Sequence, residues 1–327
     1  DEPMLRPASR SRCACTASIR ARIAAISEHP AEWTELVGRL APLAADLPAP
    51  IRTILWQTLA GTWTDEGPIS ADRIATYCVK AGREQKLWTS WVAPDDQSEA
   101  IVAGAIPRLL DDPLLRESFQ AWVALTRESV RTNTLATKLV QLTALGVADV
   151  YQGQETARLS LTDPDNRRRV DFDALRGLLA AIRQSDGVQP PPQDDPGRQG
   201  SPEQPSGGSR TPGDQPTLAM EKLLLTTTAL ELRKRHPEAF RDGSYLPLTS
   251  TSGFAWGFAR GAEPAAVTVA TRLARAREDG GGWPSTAELE LPRGSWRNLL
   301  TGRAHTRIFR PGTDLHRWPC ALLERIG

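Results

Sequence analysis

The chain has 327 residues, of which 40% are hydrophobic and 24% charged, with a net charge of +1. Such proportions describe an ordinary soluble globular protein, long enough to bury a real core in two domains. The near-zero balance gives no electrostatic case for nucleic acid or an anionic membrane surface, and no apolar run reaches the roughly 18 residues of a membrane span. Cys13, Cys15, Cys78 and Cys320 form no metal-binding spacing, so no metal is expected. Cys78 and Cys320 read as small apolar fillers in a reducing cytoplasm.

The first 18 residues carry Arg6, Arg10 and Arg12 but no apolar core of a signal peptide. From residue 19 to about 140 the apolar residues recur at helical spacing. Ile19, Ile23 and Ile26 begin the pattern, and Trp33, Leu36, Leu40 and Leu43 continue it after Pro30. Ile51, Leu55 and Leu59 repeat it after Pro50. Ser70 is placed to cap a helix running through Lys86, and Asp95 heads the next. Leu135, Leu139 and Leu142 share one face of one or two helices across residues 115–142.

Gly146 and Gly153 punctuate a short segment in which Val147, Val150 and Tyr151 suit a buried strand, followed at once by Gln152. The loop beyond places Asp163, Asp165, Asn166 and Arg167 within five residues. Carboxylate, amide and guanidinium groups in one loop can grip several hydroxyls of a sugar, because each hydroxyl both donates and accepts. The same residues also compose an ordinary turn followed by solvated or mutually paired charges, and spacing alone does not choose between the two.

Residues 172–184 begin a further helix. The Pro, Gly, Ser and Gln-rich stretch that follows buries too little apolar surface to order itself, and reads as a disordered insertion over residues 186–217. Residues 218–236 resume a helix. Beyond Tyr245 the pattern turns to strands: 254–259 and 266–270 form a hairpin across Gly261 and Pro264, and 287–291 alternates. Residues 296–300 and 320–323 add further strands to a small antiparallel domain.

Several ordered motifs carry a resemblance. Val150-Tyr151-Gln152-Gly153-Gln154-Glu155 followed by Ser160-Leu161-Thr162-Asp163-Pro164-Asp165-Asn166-Arg167-Arg168 resembles the eighth barrel strand and next loop of the maltooligosyl trehalose synthases, a branch of the alpha-amylase family. The stretch Lys80-Ala81-Gly82-Arg83-Glu84-Gln85-Lys86-Leu87-Trp88-Thr89-Ser90-Trp91 is similar to a second signature of that family. The segments 19–33, 230–240 and 296–303 resemble three more of its stretches, so the likeness covers roughly residues 19–185 and 218–327.

The resemblance implies a fold of the α/β plus β class: the C-terminal portion of a (β/α)8 barrel with a large helical insertion, then a small antiparallel β-sandwich. The implied divisions are a non-matching segment 1–18, an inserted helical subdomain 19–145, and a last barrel strand, loop and helix start 146–185. The insertion 186–217, a last barrel helix 218–243 and the sandwich 244–327 follow. The implied reaction converts the reducing-end alpha-1,4 linkage of a maltooligosaccharide to alpha,alpha-1,1 with no cofactor. The family's nucleophile and acid/base carboxylates belong to strands that this chain does not match. Its third carboxylate and the preceding His fall on Arg12 and Ser11, where the likeness stops abruptly, as a disrupted reading frame or a fusion would make it stop.

No catalytic residue is therefore expected here, and the chain alone is expected to be inactive. Substrate contacts are expected at Arg167 first, then Asp163, Asp165, Asn166, Tyr151, Gln152, Lys86 and Arg83. Trp88 and Trp91 could stack on sugar faces, although core packing is the commoner fate of Trp. The resemblance further implies functional coupling to a trehalose-releasing hydrolase, and the cysteine usage leads to the expectation of a cytoplasmic location. A non-enzymatic carbohydrate-binding remnant, or part of another amylase-family hydrolase or transferase, remain alternatives.

Overall fold

The computed structural model describes residues 16–184 and 217–327. Cys13, Cys15, the mismatch at Ser11 and Arg12, and all but the last residue of the 186–217 insertion lie outside the described residues. Two compact units make up the chain. The first holds residues up to Thr126 together with Asp149–Gln154 and Arg158–Arg169. The second holds Arg127–Ala148, Glu155–Ala157 and Val170–Gly327.

The first unit is helical: α1 (Ala17–Ala24), α2 (Pro30–Leu40), α3 (Ala49–Thr62), α4 (Ala71–Gln85), α5 (Asp96–Asp111) and the start of α6 (Pro113–Thr143). Proline in the first turn of α2 and of α3 suits positions whose N–H would lack a helical partner anyway. The Asp95 side chain accepts the Ser98 N–H at 3.0 Å and caps α5. Ser70 precedes α4, but its side chain makes no capping bond.

The four-residue spacing of Ile51, Leu55 and Leu59 brings them into one core. Ile74 and Cys78 of α4, Val102 and Ile106 of α5, and Phe119 and Trp122 of α6 complete it. Trp63 stacks on Phe119 with centroids 5.2 Å apart. Burial pushes the Cys78 thiol up to about 12, so it remains protonated as an apolar filler. Trp88 closes the end of α4: a Cβ at Gly82 would lie 2.3 Å from its ring, which is why glycine stands there. Lys86 then ends the helix in the left-handed conformation, with φ of 60° and its N–H on the Gly82 carbonyl.

α6 is a single helix of 31 residues, with its later part in the second unit. Leu135, Leu139 and Leu142 are all buried on it. The second unit continues with α7 (Phe172–Gln184), α8 (Leu218–Arg235) and α9 (Pro237–Arg241). Then come β1 (Tyr245–Leu248), β2 (Ala255–Arg260), β3 (Ala266–Thr271), α10 (Ala274–Asp279), β4 (Leu289–Glu290) and β5 (Trp296–Asn298). β6 (Ala304–His305), β7 (Ile308–Phe309), α11 (Pro311–Asp314) and β8 (Cys320–Arg325) complete it.

Six strands form one antiparallel sheet in the order β1-β2-β3-β8-β5-β6, and β4 pairs with β7 separately. The β2–β3 hairpin forms as its Gly and Pro punctuation requires, with Gly261 at φ 110° in the connection. On β3 the alternation separates two faces. Val267 and Val269 join Leu289, Trp296, Phe309 and Leu323 in one core, so the β4–β7 pair packs against the large sheet. Thr268, pointing the other way, donates to the Thr143 hydroxyl at the end of α6 at 2.8 Å. Arg260, 1% exposed, donates to the carbonyls of Thr143, Phe240 and Gly243 at 3.2 Å each. That one guanidinium thus ties the end of α6 to the turn after α9.

One expectation is corrected here. Residues 147–151 form no strand, and Val147 is 97% exposed rather than buried. An extended segment becomes a strand only beside a partner ladder. Every ladder among the described residues joins strands from Tyr245 onward, all of them antiparallel. The strand expected over 296–300 ends at Asn298, whose Oδ1 accepts the Leu300 N–H at 3.0 Å and turns the chain. No helix among the described residues is long and apolar enough to cross a membrane.

Candidate functional site

The loop 158–169 is held to α4 by two basic side chains seven residues apart, Arg73 and Lys80, which two helical turns place on one face. Arg73 grips Asp165 with both arms of its fork, at 2.6 and 2.8 Å, and gives a further bond to the Leu159 carbonyl at 2.8 Å. Lys80 donates to the Asp163 carbonyl. Asp165 also accepts the Leu161 N–H at 2.7 Å and faces Arg168 at 3.2 Å. Burial works to raise its pKa, but the bonds from Arg73 and Leu161 outweigh it and hold the carboxylate below its ordinary range. Asp165 is therefore an ionised brace of the loop at neutral pH.

Next to it, Asn166 is buried, whereas Arg167 is 73% exposed and forms an ion pair with Asp163. The Asp163–Pro164 peptide is cis. Upstream, the Tyr151 carbonyl accepts the Gln154 N–H at 2.9 Å in a turn that leaves Gln152 exposed. Gln154 is buried between the Ser18 hydroxyl and the Arg158 carbonyl. Of the loop residues expected to contact sugar, Arg167, Asp163 and Gln152 present polar atoms outward, while Asp165 and Asn166 sit inside the loop.

In the second signature, Arg83 binds Glu99 of α5 with both arms of its fork, at 2.7 and 2.6 Å. The Thr89 hydroxyl reaches the same carboxylate at 2.6 Å and accepts the Asp95 N–H at 3.0 Å. The Arg83 bond is the main reason the Glu99 carboxylate lies below its ordinary range. Arg83 and Thr89 thus brace the loop 86–95 from beneath. Lys86 is exposed, Trp88 joins the core, and Trp91 is exposed with the Arg83 guanidinium 5.0 Å from its ring.

In the sequence Arg73 is one more residue of the helix that follows Ser70, and Lys80 opens the second signature. Their seven-residue spacing was the available signal, but their partners lie more than 80 residues away. Among the described residues no group of three or more His, Cys, Asp or Glu could hold a metal.

No family model matches the chain. Two curated proteins of Mycobacterium tuberculosis, from strains CDC 1551 / Oshkosh and H37Rv, are provisionally named maltooligosyl trehalose synthase. Each is 33% identical to this chain over 316 residues, 94% of this chain and 36% of its own length. The maltooligosyltrehalose synthase structure from Arthrobacter ramosus superposes with a TM-score of 0.74 at 31% identity, covering 94% of this chain and 37% of that one. A Sulfolobus tokodaii structure carrying the hypothetical name maltooligosyl trehalose synthase shares the fold, with a TM-score of 0.66 at 23% identity over 94% of this chain and 37% of its own. The chain spans about a third of the length of these relatives. Along 94% of its length, then, this chain is related in sequence and in fold to a part of the maltooligosyl trehalose synthases.

Proposed function

We propose that the chain takes part in intramolecular transglucosylation, converting the reducing-end alpha-1,4 linkage of a maltooligosaccharide to alpha,alpha-1,1. The observation that carries this reading is the joint likeness to the named synthases, 33% in sequence and 0.74 in TM-score, over 94% of the chain. Its share of the work is to hold sugar, not to cleave it. Arg167 and Asp163, with Gln152 and Tyr151 upstream, would meet hydroxyls, and Lys86 with the Trp91 ring offers a second edge. Sugar rings favour such mixtures of aromatic faces and two-way hydrogen-bonding groups.

In this reading the stretch 146–185 belongs to a (β/α)8 barrel whose other strands lie in the part of the relatives that this chain does not span. The sheets beyond Tyr245 are then a terminal β-sandwich. The family likeness also points to a companion hydrolase that releases trehalose from the product, and the free, buried Cys78 and Cys320 fit a reducing cytoplasm.

A retaining mechanism needs a nucleophilic carboxylate and a second carboxyl that can give up a proton. Asp165 is fixed by arginines and Asp163 is paired with Arg167, so neither is suited to either role. The same commitment favours the second reading, a carbohydrate-binding stretch without chemistry of its own. Both readings make one forecast. The chain incubated with maltopentaose leaves the concentration of reducing ends at the level of a protein-free blank. A loss of reducing ends faster than the blank would show that the catalytic pair is present after all.

A further inference from the structure

The charges beneath the loop do not balance. Arg73 and Arg168 both donate to the single Leu159 carbonyl oxygen, at 2.8 and 3.1 Å. Their two nitrogens therefore lie no further apart than those two bonds together span. Arg158 binds the backbone of the same loop, giving its Nη2 to the Arg168 carbonyl at 2.7 Å and the Arg169 carbonyl at 3.1 Å. Asp165 is the carboxylate that faces this group, bound to Arg73 and paired with Arg168. Nearby Asp163 is engaged by Arg167, and Glu84 by Lys80. Arg73 and Arg168 thus share the Asp165 carboxylate and the Leu159 carbonyl, and the Arg158 charge lies near enough to act on Arg168, so positive charge is in surplus around this half-buried backbone.

We propose that Arg73, Arg158 and Arg168 form a binding site for a phosphate group, either free phosphate or the phosphate of a sugar phosphate. A doubly charged anion suits the surplus, and its oxygens can accept from the guanidinium nitrogens not already committed to Asp165 and the carbonyls, such as Nη1 of Arg73 and of Arg168. Carbonyl bonds hold each of the three side chains against the loop without an anion, so little ordering is needed on binding. Burial first, then the neighbouring Arg73 and Arg158 charges, work to push the Arg168 pKa down, which marks the crowding that an anion would relieve. This site is separate from sugar binding at Arg167, and neither reading requires the other.

The test is calorimetric titration of the whole chain with sodium phosphate against sodium chloride at matched ionic strength, with glucose 6-phosphate and glucose as further arms. Saturable phosphate binding is expected, weakened at least tenfold by Arg168→Ala and by Arg158→Ala. The melting curve of each variant confirms that it is folded, and neither side chain belongs to a buried core. Equal affinity for phosphate and glucose 6-phosphate supports recognition of the phosphate alone. Tighter binding of glucose 6-phosphate supports a sugar phosphate as the ligand. No heat beyond the chloride control, binding of glucose 6-phosphate no tighter than glucose, or full binding by both folded variants overturns the proposal.

Discussion

Raising the pH from 7 to 10 is expected to stabilise the folded chain relative to its Lys222→Met variant by about 3–4 kcal/mol. Lys222, on α8, is 1% exposed. Its ammonium donates to the Thr156 carbonyl at 2.9 Å, with Lys138 of α6 and Glu155 as its charged neighbours. Burial is the main reason its pKa falls to about 7, the Lys138 charge adds to the fall, and Glu155 opposes it. The folded value lies below the ordinary 10.5, so between the two the unfolded chain binds more protons. Stability from this group therefore rises with pH across the window, at up to about 1.4 kcal/mol per unit, and is absent below pH 7. Methionine fills a similar volume and does not titrate. Urea unfolding of both proteins at several pH values is the measurement, and parallel stability curves would contradict the assignment of Lys222 as a buried amine.

Asp165→Ala is expected to cost about 2–4 kcal/mol, because it leaves a half-buried Arg73 without its carboxylate and strands the Leu161 N–H. The side chain of Asp165 is 13% exposed and that of Arg73 19%, so solvent offers little compensation. Asp165→Asn keeps an acceptor in place and should lose less. The folded-state pKa of Asp165 is depressed, so its stabilising contribution is present above the unfolded carboxylate range and disappears as the pH falls through the folded value. A drop in the urea midpoint with an unchanged slope would report the loss. A midpoint equal to that of the wild type would show that the Arg73–Asp165 pair does not brace the loop.

The partners of these two residues lie far away in sequence, which is what a local pattern cannot show. Helices built on four-residue spacing, such as Ile51, Leu55 and Leu59, were legible because neighbours in the pattern are neighbours in space. The β2–β3 hairpin was legible for the same reason, since its Gly261 and Pro264 punctuate two runs that pair with each other. Lys222 gave no such signal: a lysine in a helix is ordinarily exposed, and only the packing of α6, α8 and the turn before Arg158 buries it. Arg83 read as a sugar contact, yet both arms of its fork are engaged by Glu99 on the next helix, a pairing that no local pattern announces. Residues 147–151 have strand composition, but composition supplies no hydrogen-bond partner. The loop 163–168 was the clearest signal of all, and the structure divides it: Asp165 and Asn166 face inward, while Asp163 and Arg167 remain at the surface.

The central claim is that this outward edge holds an oligosaccharide. A titration of the isotopically labelled chain with maltopentaose, followed by backbone amide resonances, tests it most directly. The account predicts saturable shifts at residues 151–152 and 163–168 and along 86–91, diminished in Arg167→Ala. Unchanged resonances in these stretches at tens of millimolar sugar, or shifts confined to other parts of the chain, would contradict it.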